Sequence, residues 1–235
     1  MENKIYSLKK TARLAGLLYF FLIITGVYIV MYVPSQIIVW GDADTTAKNI
    51  LFNEFLFRTG IMGDIISNTI FVFLVFVLYR LLKQVNEHRA KLMVAFVIVQ
   101  IPLVFIMEAF NITSLMIFKG EILKTFELSQ RQDLAMLFLN INDYGALTLE
   151  MFWGIWLIPF GKLVYKSGFI PRIFGILLII AGIDYMIDSF ISLLFPSYRV
   201  FVNQPTLLFV IIGEISIMLW LLIKGVAVPP KQSTL

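Results

Sequence analysis

The chain has 235 residues, of which 60% are hydrophobic and 14% charged, with a formal net charge of +4, one histidine and no cysteine. Soluble domains are about 45–50% apolar and about 25% charged, so this composition excludes an ordinary water-soluble fold and asks for a bilayer as solvent. Disulfides, thiolate metal sites and a cysteine nucleophile are excluded too, and the scattered basic clusters read as membrane topology, with no nucleic-acid partner.

Crossing a hydrocarbon core about 30 Å thick takes roughly 20 mainly apolar helical residues. The first stretch that does so is Ala12 to Val33. It is too long for the apolar core of a signal peptide and no small-x-small cleavage site follows, so it is expected to stay in the mature protein. The segment Asp44 to Arg58, with Ile50, Leu51, Phe55 and Leu56 at near-helical spacing, predicts an amphipathic helix on the outer membrane surface, either an anchor or a lid over an outer cavity. The second span is Gly60 to Leu82, and the third, Lys91 to Phe118, contains Pro102, which should kink it. Ser129 and Gln132 form a capping-box pattern ahead of the fourth span, Leu134 to Tyr165. Gly168 and Pro171 give the stop-and-restart signature of a tight hairpin into the fifth span, Pro171 to Phe195. The sixth is Pro205 to Val226, followed by a short polar end. The expected fold is therefore all-α: a polytopic membrane protein of six helices in one transmembrane domain over residues 1–235. Arg13, Gly16 and Gly26 echo Arg172, Gly175 and Gly182, a match too short to define an internal repeat.

Positive charge is retained on the cytoplasmic side, most reliably in short loops. With the N-terminus inside, thirteen of the nineteen Lys and Arg residues fall on the inner side, and every inner segment is basic. Both termini are expected in the cytoplasm.

The chemistry of such a chain lies in polar residues that a bilayer should exclude. Asp64, Glu108, Glu150, Asp184, Asp188 and Glu214 fall within predicted spans, and Asp143 lies near the outer part of the fourth. An acid at mid-helix costs about 2.5–3.5 kcal/mol on insertion scales, so lipid exposure of all six would cost on the order of 15–20 kcal/mol. They must face one another, protein or water. Helix directions put Asp64, Glu108, Asp143, Asp184 and Asp188 in the outer half, with Glu150 and Glu214 nearer the midplane. Spacing groups Asp64 with Asn68, Glu108 with Asn111, Asp184 with Asp188, and Asp143 with Glu150 and nearby Asn140. Four helices thus carry polar stripes at one level, which predicts a bundle around an outward-opening acidic cavity. No Lys or Arg lies deep in any span to neutralise these acids, so they either take up protons or hold a cation. The alternative is that each is protonated and hydrogen-bonded as interhelical glue.

His88 lies in a predicted cytoplasmic loop, which excludes a Ser-His pair or a histidine-bound zinc within the membrane. Paired carboxylates sharing a proton remain open, with Asp184 and Asp188, or Asp64 facing Asp188, as pairs.

The run Phe57, Arg58, Gly60 and Asp64, the segment Asp143 to Gly145, Phe152, Pro159, Gly161, the stretch Tyr165 to Gly168 with Pro171 and Arg172, Gly182 to Ser189, and Glu214 preceding Trp220, Lys224 and Gly225 resemble the bacterial membrane family catalogued as domain of unknown function 4386. The resemblance covers nearly the whole chain and implies a six-helix membrane protein in the bacterial plasma membrane, without a substrate, cofactor or catalytic assignment. The expected activity is binding or moving a cation, a proton or a small cationic solute through the outer cavity. An intramembrane carboxylate enzyme acting on a lipid or peptide, and a structural or regulatory partner of another membrane protein, are the alternatives. No cofactor and no particular oligomeric state are implied.

Overall fold

The computed structural model describes residues 2–199, 201 and 208–227, and every regular element among them is helical. Helix α1 (Glu2–Val27) runs through a π-helical turn at Tyr28–Tyr32 into α2 (Val33–Ile37). There follow α3 (Ala43–Phe52), α4 (Glu54–Leu82), α5 (Glu87–Ile98), α6 (Ile101–Phe118), α7 (Leu128–Ser167) and α8 (Arg172–Leu194). Last comes α9 (Leu208–Ile223), which contains a second π-helical turn at Ile211–Ile215.

Five apolar helical stretches are long enough to cross a membrane: Tyr6–Ile37, Glu54–Leu82, Glu87–Phe118, Leu128–Ser167 and Arg172–Leu194. They match the first five predicted spans. Of the sixth, α9 is described, and residues 205–207 lie outside the described residues. Large apolar side chains on these helices, among them Val30, Phe73 and Ile106, point outward. In water such a surface would be an aggregation hazard; in lipid it is the expected exterior.

Helices α5 and α7 start ahead of the predicted apolar stretches, where polar side chains cap them. Asn86 accepts the Arg89 N–H at 2.9 Å, so α5 starts at Glu87, a turn before the predicted Lys91. Pro102 has no N–H to offer the Ile98 carbonyl, and the third span breaks between α5 and α6, where Gln100 takes over as acceptor for Leu103 and Val104. Before α7 the capping frame is two residues earlier than Ser129 and Gln132 suggested. Gln130 accepts the Glu127 N–H, and Gln132 reaches Asp44 instead. Gly168 adopts φ of +71°, and Pro171 opens α8 after a hairpin closed by the Ile170 N–H to Ser167 Oγ bond.

The chain forms two compact units. The first takes its described residues from Met1–Phe21, Phe71–Val99 and Leu147–Leu235, the second from Leu22–Ile70 and Gln100–Ala146.

In the first unit α7 and α8 pack backbone to backbone. A Cβ at Gly161 would stand 2.7 Å from the Gly175 carbonyl oxygen, and one at Gly182 2.7 Å from that of Gly154. The two glycine pairs share a seven-residue spacing, two helical turns, so small residues recur along one contact line. Trp156, 2% exposed, packs its ring against Tyr19, Phe71 and Phe160.

In the second unit a core of Val33, Ile37, Ile50, Phe57, Leu115 and Leu139 joins α2, α3, α4, α6 and α7. Asp42 caps α3 by accepting from the N–H and hydroxyl of Thr45, bonds that hold its carboxyl below the ordinary carboxylate range. Thr46 pins the preceding loop by bonding both the N–H and the carbonyl of Val39. The segment expected over Asp44 to Arg58 comprises α3 and the first turn of α4, divided at Asn53. It buries Ile50 and leaves Phe52 and Phe55 89% and 81% exposed.

Candidate functional site

The predicted polar residues divide between the units. Asp64, Asn68, Glu108, Asn111, Asn140 and Asp143 lie in the second; Glu150, Asp184, Asp188 and Glu214 lie in the first.

In the second unit α4 and α6 present their acids to one another, with the carboxyls of Asp64 and Glu108 within hydrogen-bonding reach. A carboxylate has no donor, so the two carboxyls bond one another when one of them carries a proton. Three asparagines surround the pair. Asn68 Nδ2 donates to Asp64 Oδ1 at 2.9 Å, and Asn111 Nδ2 donates to both oxygens of Glu108 at 3.2 and 3.1 Å. Asn142, on α7, bonds Glu108 and donates to the Met107 carbonyl at 3.1 Å. Glu108 is buried, while Asn140 and Asp143 are half-buried on α7. Asn142 is a member the helical spacing missed.

In the first unit the centre is Glu214, carried by the π-helical turn of α9. Tyr19 on α1, fully buried, donates its hydroxyl to Glu214 Oε2 at 2.6 Å, and Tyr185 on α8 bonds the same carboxyl. Glu150 and Asp184 lie within electrostatic reach of Tyr185, whose ring meets Trp153 edge-on at 6.0 Å. Asp188 is buried on α8 and accepts from Ser192 Oγ at 2.9 Å, while Ser189 donates to the Leu147 carbonyl on α7. π-turns insert one residue into a helix and recur at functional sites, and here the insertion carries the acid.

The carboxyls and tyrosine hydroxyls are titratable groups, and the amides around the acid pair donate and accept hydrogen bonds. Among the described residues no group of three or more His, Asp or Glu side chains has the disposition of a metal site.

Long apolar helices with lipid-type exteriors and buried acids among them define an α-helical integral membrane protein. The chain belongs to the family described as domain of unknown function (DUF4386), whose family model matches residues 14–225. An uncharacterized protein of Archaeoglobus fulgidus is 34% identical over 120 residues, which is 51% of this chain and 64% of that relative. This similarity extends to an archaeon, beyond the bacteria the sequence resemblance named. No solved structure matches.

Proposed function

We propose that this protein crosses the plasma membrane six times with both termini cytoplasmic, and that it binds and moves protons, or a small cation in exchange for them, through its acidic clusters. The carrying observation is the close approach of Asp64 and Glu108, two acids on facing helices that can share one proton. The asparagines bonded to the pair support the reading, since an amide can donate to the ionised acid and accept from the protonated one. Glu214 between two tyrosine hydroxyls supplies a second group of the same chemistry, Asp184, Asp188 and Glu150 lie in that unit, and Asn140 and Asp143 lie in the unit of the acid pair.

Reconstituted vesicles carrying a pH-sensitive dye inside test it. A pH step across the membrane should collapse faster with the wild-type protein than in empty vesicles, and Asp64→Asn and Glu108→Gln should remove the difference while their thermal midpoints show retained folding. Equal rates in wild type and both variants, with and without added monovalent cations, would sink the proposal.

The same acid pair favours one other reading. Two acids sharing a proton are the apparatus of carboxylate-dependent peptide hydrolysis. Loss of a cleaved product, with no loss of proton flux, in Asp64→Asn would select that reading instead.

A further inference from the structure

We propose that a groove between α5 and α7 in the first unit binds one anionic phospholipid, with its phosphate between Arg89 and Lys162 and an acyl chain along the groove. The groove has a volume of about 250 Å³ and is lined by Arg89, Leu92 and Phe96 from α5 and by Ile155, Ile158 and Lys162 from α7, with Pro159 beside them.

Its polarity is graded along its length. On α5, Leu92 and Phe96 follow Arg89 by three and seven residues, one and two turns further into the helix. On α7, which reaches its end at Ser167, Ile158 and Ile155 precede Lys162 by four and seven residues. Each helix therefore presents a cation near its end and two apolar side chains progressively deeper. A free phosphate would need only the cations, and an apolar helix only the floor. A phospholipid has both parts in that order, with the charge at the interface and hydrocarbon beneath.

The cations are available to an outside anion. Neither Arg89 nor Lys162 enters an ion pair among the described residues. The nearest acid in the sequence, Glu87, is bonded to Lys91 at 3.1 Å and accepts from the Tyr79 hydroxyl. Arg89 supplies a planar donor fork suited to a phosphate and Lys162 a mobile point charge. In the proposed orientation both ends face the cytoplasm, the side whose leaflet is rich in anionic lipid.

Native mass spectrometry of the full-length protein in neutral detergent tests this, with phosphatidylglycerol and phosphatidylcholine of identical chains as probes. The wild type should retain phosphatidylglycerol in preference. Arg89→Gln and Lys162→Gln should each weaken it roughly fivefold, and the double variant should lose the preference. Lys166→Gln, which removes an exposed charge outside the groove, should bind as the wild type does. Ile158→Trp keeps both cations and fills the floor, and should also weaken retention. Undiminished phosphatidylglycerol binding by the double variant would overturn the proposal, as would competition by glycerol phosphate at the same concentration as lipid. A dimer that forms in lipid-free detergent and is lost in Arg89→Gln would assign the groove to a second copy of the chain instead. Thermal midpoints without added lipid show whether each variant is folded, and a misfolded double variant leaves Ile158→Trp and the competition to decide.

Discussion

A carboxyl buried without a basic neighbour has to find hydroxyl or amide donors, and Glu214 shows how that requirement shapes the protein. With no Lys or Arg deep in the predicted spans, the donors available to it are tyrosines, and Tyr19 and Tyr185 both reach it. A double-mutant cycle isolates the first contact: Tyr19→Phe and Glu214→Gln should each destabilise, and the cycle should return a coupling energy on the order of 1 kcal/mol. Denaturation midpoints of the four proteins in one detergent give the value, and a coupling of zero would remove the bond from the account. The acids themselves were legible in the sequence, because a charge in an apolar run is costly and therefore conspicuous. Tyr19 and Tyr185 were not, since a tyrosine in such a run reads as one more apolar ring, although a buried hydroxyl always raises the question of its partner. Asn142 was missed for another reason. Helical spacing gives the angle between residues on one helix but not the phase of that helix against its neighbours, so Asn140 and Asp143 were as eligible as the asparagine between them.

Elements were legible where the local code is short-ranged. Pro102 breaks the third span and Gly168 with Pro171 closes the hairpin, because a missing N–H or a positive φ acts on the backbone directly. The π-helical turns at Tyr28–Tyr32 and Ile211–Ile215 had no such marker, since an inserted residue in a helix is stabilised by what packs around it. Glycines lie between these extremes: each is visible, but its purpose depends on the partner. Gly161→Ala would place a methyl group 2.7 Å from the Gly175 carbonyl oxygen and should destabilise by about 1–3 kcal/mol, as α7 and α8 are forced apart. Gly26→Ala meets nothing within 4 Å and should stabilise α1 by about 0.5–1 kcal/mol, the usual gain from replacing glycine in a helix interior. Thermal midpoints of the two variants should therefore move in opposite directions. Shifts of the same sign would mean that the close α7–α8 contact is not a feature of the folded protein in a membrane-like environment.

At the scale of the whole molecule, composition alone determined the class, because 60% hydrophobic residues leave no soluble solution. Sidedness is carried by a different signal, the distribution of Lys and Arg over the segments between spans, and it admits a direct test because the chain has no native cysteine to interfere. Single cysteines at Lys48, Lys124 and Ser197, all at exposed positions, should react in intact cells with a thiol reagent that cannot cross the membrane. Cysteines at Glu87 and Lys166, equally exposed, should react only after the cells are opened. The two sets differ in sidedness and not in burial, so unequal reactivity reports topology. Lys48 is well placed for this, since its exposed ion pair with Asp44 contributes little to stability and its loss should leave α3 folded. Ser197 adds a constraint the other sites cannot, because it follows the fifth span: labelling there from outside, together with protection at Lys166, requires α8 to cross the membrane between them. Labelling of Glu87 or Lys166 in sealed cells would reverse the orientation, carry the Arg89 and Lys162 end of the groove to the outer leaflet, and remove the cytoplasmic anionic lipid as its source.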